Sequence, residues 1–287
     1  MAIEAATAAI EGSRPLDAVA KKLTNLFAAR VRPGPVKDLL SGTGIGHPLH
    51  PLLTDVPIGA WTSALVLDVV GGEPARRAAD RLLVVGALAA LPTAVTGLSD
   101  LADCVHSDER SLGALHALGN VAALSCFLAS YAARRLGRRA GGLELSGLGG
   151  VLLAGSGFLG GHLAFRKGIG VDETVFLEPP VEWTAVCRDG ELADGKPRRV
   201  RLAGTDVVLY RGGGGRLYAL ANRCSHRGGP LHKGRHTDST LTCPWHLSTF
   251  RLDDGAIVRG PATAPQPVYD VRVQNGSIEV RVLQRRG

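Results

Sequence analysis

The spacing of apolar positions changes character twice along the chain. Over 14–32, Leu16, Val19, Ala20, Leu23 and Phe27 recur at helical intervals among Lys21, Lys22, Arg30 and Arg32, which predicts an amphipathic helix. Such a helix suits either a membrane surface or a docking place on the protein itself. Four apolar runs follow, near 56–71, 82–99, 112–133 and 145–165. A membrane span takes about 20 apolar residues. The last two runs are long enough, the second is marginal, and the first is short and contains Asp68. Closely connected and flanked by arginines within 76–81 and 134–139, the runs predict a four-helix membrane domain over 45–170, behind an N-terminal amphipathic segment, 1–44. In the fourth run Ser146, Gly150, Gly157 and Gly161 place small residues at intervals that let helices approach closely in lipid.

Residues 171–182 keep neither period and contain Pro179 and Pro180, as a linker would. From 183 the period drops to two. Strands are predicted at 183–188, 198–202, 206–211, 217–222, 240–243, 249–252, 268–273 and 278–282, with turn signals at 211–215, 253–255 and 275–276. The expected architecture is multi-domain: an all-α four-helix transmembrane bundle, then a small all-β domain over 183–287.

Composition adds little until it is divided the same way. The apolar fraction of 45% averages a greasy half and a polar half. A net charge of +7 raises the possibility of nucleic acid. No helix gathers basic residues beside stacking aromatics, however, and many lysines and arginines flank the apolar runs, so a lipid bilayer is the expected partner and nucleic acid is not. Five cysteines, at 104, 126, 187, 224 and 243, form no close pairs. Cys126 reads as a small packing residue, and Cys104 and Cys187 as incidental thiols. Residues 1–12 lack the basic and apolar regions of a cleavable signal peptide.

Chemistry concentrates in Cys224-Ser-His226 and Cys243-Pro-Trp-His246, sixteen residues apart. Each short loop offers one thiolate and one imidazole. Two such loops can give two thiolates to one iron and two imidazoles to the other, the ligand set of a Rieske [2Fe–2S] centre. The same residue types also suit a single structural zinc, so ligand identity alone leaves both open. The surrounding stretches CSHRGGPLHKG and CPWHLSTFRLDDG resemble the two cluster-binding loops of Rieske ferredoxins, and the likeness runs through 183–287. The resemblance implies that Cys224, His226, Cys243 and His246 hold the cluster. It places Gly228, Gly229, Pro230, Pro244, Trp245, Ser248 and Phe250 around it. Gly229 and Trp245 stand where quinol-oxidising relatives carry a pair of disulfide cysteines, which implies the ferredoxin branch and a lower potential. A Ser248 hydroxyl donated to a sulfide would act the other way. His232 and His236 are expected to be exposed loop residues. Only 41 residues follow His246 (287 minus 246), too few for the mononuclear-iron domain of a Rieske oxygenase, so a complete oxygenase is not expected.

His47, His50, His106, His116 and His162 lie in or beside the apolar region, and with four spans all fall toward one membrane face. Such an array suits a b-type haem, another metal or a quinone, with Asp55, Asp100 and Asp103 near enough in sequence to orient the rings. Histidines at helix ends also bond carbonyls and headgroups with no cofactor at all. GIGHPLHPLLTDVPIGAW and GGHLAFRKGIGV resemble segments of an uncharacterised family of small bacterial four-helix membrane proteins, over roughly 40–172, which supports the membrane assignment and supplies no activity.

The expected function is that of a membrane-anchored Rieske iron–sulfur protein passing single electrons between a donor and a redox partner, in a multi-pass plasma-membrane setting. One alternative is an integral oxidoreductase with haem or quinone in the bundle wired to the cluster. Another is a non-redox interaction protein whose β-domain holds zinc or no metal. Charge counts leave the membrane side open: Lys37, Arg110, Arg166 and Lys167 oppose Arg76, Arg77, Arg81, Arg134, Arg135, Arg138 and Arg139, but the basic residues of the amphipathic helix offset the difference.

Overall fold

A computed structural model describes residues 2–178, 180–202 and 204–282. Of the two prolines predicted to mark a linker, Pro179 lies outside the described residues. The chain forms two compact units. One gathers the chain up to Val31 with Pro48–Ile169; the other gathers Arg32–His47 with the chain from Gly170 onward.

The first unit is helical: α1 (Ala2–Glu11), α2 (Arg14–Ala28), α4 (Leu49–Val70), α5 (Gly72–Ala102), α6 (Ser107–Arg135) and α7 (Arg139–Phe165). Helices α4 to α7 are each long and apolar enough to cross a membrane. α4 and α7 outrun the predicted stretches at their starts, and α5 and α6 at both ends. The first shows this best: α4 begins at Leu49 and carries Pro57 inside it, so His50 belongs to the helix rather than to its approach. Trp61 and Phe127 stack at 4.5 Å in the core, and the Trp61 indole donates to Leu83 O at 3.2 Å. Gly86 admits this ring, since a Cβ there would lie 2.3 Å from its nitrogen.

Small residues of α7 do mediate close approach, though not all those expected. A Cβ on Gly149 would meet Phe127 at 3.1 Å, and one on Gly150 would meet Leu65 at 2.7 Å. Gly157 faces open space, and Gly161 nears only Phe165 of its own helix. Asp68, which interrupts the first apolar run, is held by Arg134 and Arg139. Helix α2 docks on the protein through polar contacts, Arg110 Nε donating to Asp17 at 2.7 Å and Ser111 Oγ to Ser13 O at 3.1 Å, while Val19, Leu23 and Leu26 stay exposed.

The second unit carries α3 (Pro35–Ser41) and two antiparallel sheets. The larger orders its strands β1-β10-β9-β4-β3-β2, from β1 (Thr184–Arg188), β2 (Arg198–Leu202), β3 (Thr205–Arg211), β4 (Leu217–Ala221), β9 (Val268–Gln274) and β10 (Ser277–Val282). The smaller runs β5 (Arg235–His236), β6 (Thr240–Thr242), β7 (Thr249–Arg251) and β8 (Ile257–Arg259). β5 and β8 show no alternation in sequence, since β5 is two polar residues and in β8 the apolar Ile257 and Val258 are adjacent, whereas β6 and β7 alternate. Asn275 and Gly276 both take positive φ at the β9–β10 turn, as the Asn-Gly signal predicts. One apolar core includes Val207, Leu209, Ile278 and Val280; a second includes Leu220, Leu231, Leu241, Phe250 and both Cys224 and Cys243. Part of the expected linker docks on this unit: Glu173 N–H donates to Ser225 O at 3.0 Å, Arg223 pairs with Glu173, and Leu177 packs on the first core.

Candidate metal centre

Two tight loops present the four ligand candidates. The first follows β4. Cys224 N–H donates to Gly229 O at 3.0 Å and Gly228 N–H to Cys224 O at 2.9 Å, a closure that puts Gly228 at φ +70°. The second joins β6 to β7, with Cys243 N–H donating to Ser248 O at 2.8 Å and Leu247 N–H to Cys243 O at 3.2 Å. Two residues that the sequence did not single out fix the first loop. Buried Gln266 accepts from Ser225 N–H at 3.0 Å and donates to Arg223 O at 2.7 Å and Ala221 O at 2.9 Å. Asn222 Oδ1 accepts from the His232 backbone N–H at 2.9 Å and bonds its ring nitrogen at 2.8 Å. A lone amide between prolines carries no periodic signal, so only tertiary structure reveals it.

The thiols and imidazoles segregate. Cys224 and Cys243 are 1% and 2% exposed and hydrogen-bonded to each other. A hydrogen bond from the Cys224 thiol to Cys243 lowers the Cys243 thiol below its ordinary value and pushes that of Cys224 up. His226 and His246 are half-buried, with ring centroids 5.1 Å apart and planes at 87°. A metal lies about 2 Å from an imidazole nitrogen, and so about 3 Å from the ring centre. Two rings at a tetrahedral angle on one metal then have centroids about 5 Å apart. Among the described residues no three His, Cys, Asp or Glu side chains converge on one point. A thiol pair beside an imidazole pair suits two irons of different ligation better than one four-coordinate zinc.

The surroundings divide likewise. A Cβ on Gly229 would lie 2.6 Å from Cys243 Sγ and 3.2 Å from the Trp245 ring. Ser248 and Phe250 are fully buried, and Ser248 Oγ accepts from Ala262 N–H at 3.0 Å, leaving its own proton free to donate. Pro244 is exposed, and Trp245 and Leu247 remain 42% and 44% exposed, which leaves an apolar rim beside the imidazoles. His232 and His236 are not exposed loop residues as expected. Both are half-buried; His236 lies in β5 with its ring 5.1 Å from that of Tyr210.

Residues 182–270 match the family model described as Rieske [2Fe-2S] domain. The 3-phenylpropionate/cinnamic acid dioxygenase ferredoxin subunit of Photorhabdus laumondii is 34% identical over 102 residues, 35% of this chain and 95% of that one. The chain belongs to the Rieske family. Its Rieske domain also matches human apoptosis-inducing factor 3 at 32% identity, over 36% of this chain but only 18% of that protein. Among solved structures, the ferredoxin of carbazole 1,9a-dioxygenase from Nocardioides aromaticivorans is 31% identical, over 35% of this chain and 98% of that one, with a TM-score of 0.33. Residues 46–173, ahead of the Rieske domain, match a second family described as Predicted membrane protein (DUF2231). The chain is therefore an iron–sulfur protein of the electron-transfer type, joined to a membrane-type helical domain.

The five histidines of the apolar region part company. His47 falls in the β-containing unit and the other four in the helical unit. His106 caps α6 in a capping box with Glu109. The His162 ring lies 3.4 Å from Glu11 of α1. His50 and His116 are brought together, with ring centroids 6.4 Å apart. Backbone carbonyls orient them rather than the expected carboxylates: His50 Nδ1 is 2.9 Å from Thr93 O, and His116 Nδ1 is 2.8 Å from Ser156 O.

Proposed function

We propose that this chain is a membrane-anchored Rieske electron carrier. In this reading Cys224 and Cys243 hold one iron and His226 and His246 the other, and the helices of the first unit fix the domain to the plasma membrane. The observation that carries it is the segregation of a buried thiol pair from a half-exposed imidazole pair on two facing loops. When bound, the cluster supplies one-electron redox chemistry. The buried thiolates put anionic charge on the inner side, while two neutral imidazoles limit the total and so favour reduction relative to an all-thiolate site.

Pro244, Trp245 and Leu247 form a dry rim on which a donor and an acceptor dock in turn, close to the imidazoles. Support for a protein partner comes from the relatives, one of which is the ferredoxin subunit of a dioxygenase. The chain thus passes single electrons between a donor and a redox partner beside the membrane. The test is electron paramagnetic resonance of the dithionite-reduced full chain. His226→Ala and Cys243→Ala each abolish the Rieske signal in this reading; a signal that persists in either variant overturns the ligand assignment.

A further inference from the structure

Four histidines lie in the helical unit, and two of them share a geometry that helix capping does not account for. His50 of α4 and His116 of α6 bring their rings to a centroid separation of 6.4 Å at 88°. Their carbonyl partners sit at matching depths: Thr93 is nine residues before the end of α5 (102 minus 93), and Ser156 is nine before the end of α7 (165 minus 156). His116 itself is nine residues into α6 (116 minus 107). At 1.5 Å per residue the pair therefore lies about 13 Å inside the ends of α5, α6 and α7, at the level where α4 begins with Leu49 and His50.

A carbonyl oxygen can only accept, so both Nδ1 atoms carry the proton, and both Nε2 atoms present lone pairs. Asn120 agrees on the tautomer, since its amide nitrogen lies 3.1 Å from His116 Nε2 and can only donate to it; a metal on that nitrogen takes the place of this bond. Nδ1–H on a carbonyl with Nε2 left basic is how proteins prepare a histidine to bind metal. Glycines make room for the rings: a Cβ on Gly97 would lie 2.7 Å from His50 Cε1, and one on Gly160 would lie 3.0 Å from His116 Cε1.

The separation distinguishes this pair from the one at the cluster loops. With a metal about 3 Å from each ring centre, two imidazoles on opposite sides of it have centroids about 6 Å apart, against about 5 Å at a tetrahedral angle. The observed 6.4 Å fits the trans arrangement, and the 5.1 Å between His226 and His246 fits the bent one. Two trans imidazoles are an incomplete set for a bare divalent ion, and among the described residues no third His, Cys, Asp or Glu joins them. They are a complete set for an iron that brings four in-plane nitrogens of its own. We infer that His50 and His116 are the two axial ligands of a b-type haem within the helical unit. This assignment does not depend on the ligands proposed for the iron–sulfur cluster.

The experiment is absorption spectroscopy of the full chain in detergent, taken from cells supplied with a haem precursor and again after titration with haemin. A Soret band that shifts on reduction and saturates near one haem per chain is expected. His50→Ala and His116→Ala should each lose that band, while His106→Ala and His162→Ala keep it. His116→Met guards against misfolding, because a thioether restores axial ligation and should return a displaced band. The Rieske resonance reports in every sample whether the remainder of the chain is intact. No Soret band in either preparation, with that resonance present, overturns the inference. So does a band that survives both His50→Ala and His116→Ala, or stoichiometric copper bound without a Soret band.

Discussion

At the residue scale the most heavily committed side chain is Arg134. Its side chain is 1% exposed and every donor nitrogen is engaged: Nε on Ser130, one terminal nitrogen on Asp68 and Asp80 at 3.0 Å each, the other on Asp68 at 2.5 Å and Ser146 at 2.9 Å. Arg139 adds bonds to the same two carboxylates, so two positive and two negative charges from α4, α5, α6 and α7 balance inside the bundle. Removing one partner strands the rest. Arg134→Met should lower stability by about 3–5 kcal/mol, measured by thermal unfolding in detergent, and adding Asp68→Asn should recover part of the loss. At the cluster loops, Gly229→Ala would push a methyl group into Cys243 Sγ. It should cut bound iron per chain severely, whereas Gly190→Ala, with open space and no positive φ, should leave iron content unchanged. Sequence made these two sites unequally legible. Cys-X-His and Cys-X-X-His declare their chemistry by spacing, but Asp68 reads as a flaw in a span and Arg134 as a flanking charge, because pairing across 66 residues leaves no local trace (134 minus 68).

At the element scale, helical period reveals that a face is apolar without saying what covers it. That is why α2 was legible as a helix while its docking on the protein was not. Its polar attachment makes a pH prediction. Hydrogen bonds from Lys21 and Arg110 hold the Asp17 carboxyl below its ordinary value of 3.8. A group whose native pKa is depressed stabilises the fold above its unfolded pKa, and that contribution is lost as pH falls through the native value. Protection against hydrogen exchange in α2 should therefore fall below about pH 4, ahead of that in the core of α6. Asp17→Asn should show the faster α2 exchange already at neutral pH. Protection in α2, relative to the intrinsic exchange rate, that stays constant with pH in the parent would show that apolar contacts alone hold the helix. The smaller sheet shows the opposite limit of legibility. Its β5 and β8 carry no alternating pattern, and only pairing with β6 and β7 makes them strands.

At the scale of the whole molecule, each unit has its own core, and the ligand candidates all belong to one of them. The helical core is built on Trp61, Leu83, Phe127 and Leu153; the core beneath the cluster loops contains the two cysteines themselves. A four-stranded sheet with strands of two or three residues cannot supply much stability alone, so the bound metal is a large part of what orders it. Stripping iron from the reduced protein with a chelator should therefore act selectively. Backbone exchange should rise across 222–266, most in the loops around Cys224 and Cys243. The larger sheet should loosen less, because Val207, Leu209, Ile278 and Val280 bury against one another without either cysteine. Helices α4 to α7 should keep both their protection and their circular-dichroism signal. Re-adding ferrous iron and sulfide should restore protection and the Rieske resonance together, since one set of bonds is responsible for both. If chelation instead melts helices and sheets in a single transition, the two units share one cooperative fold, and the cluster stabilises the molecule beyond the domain that holds it.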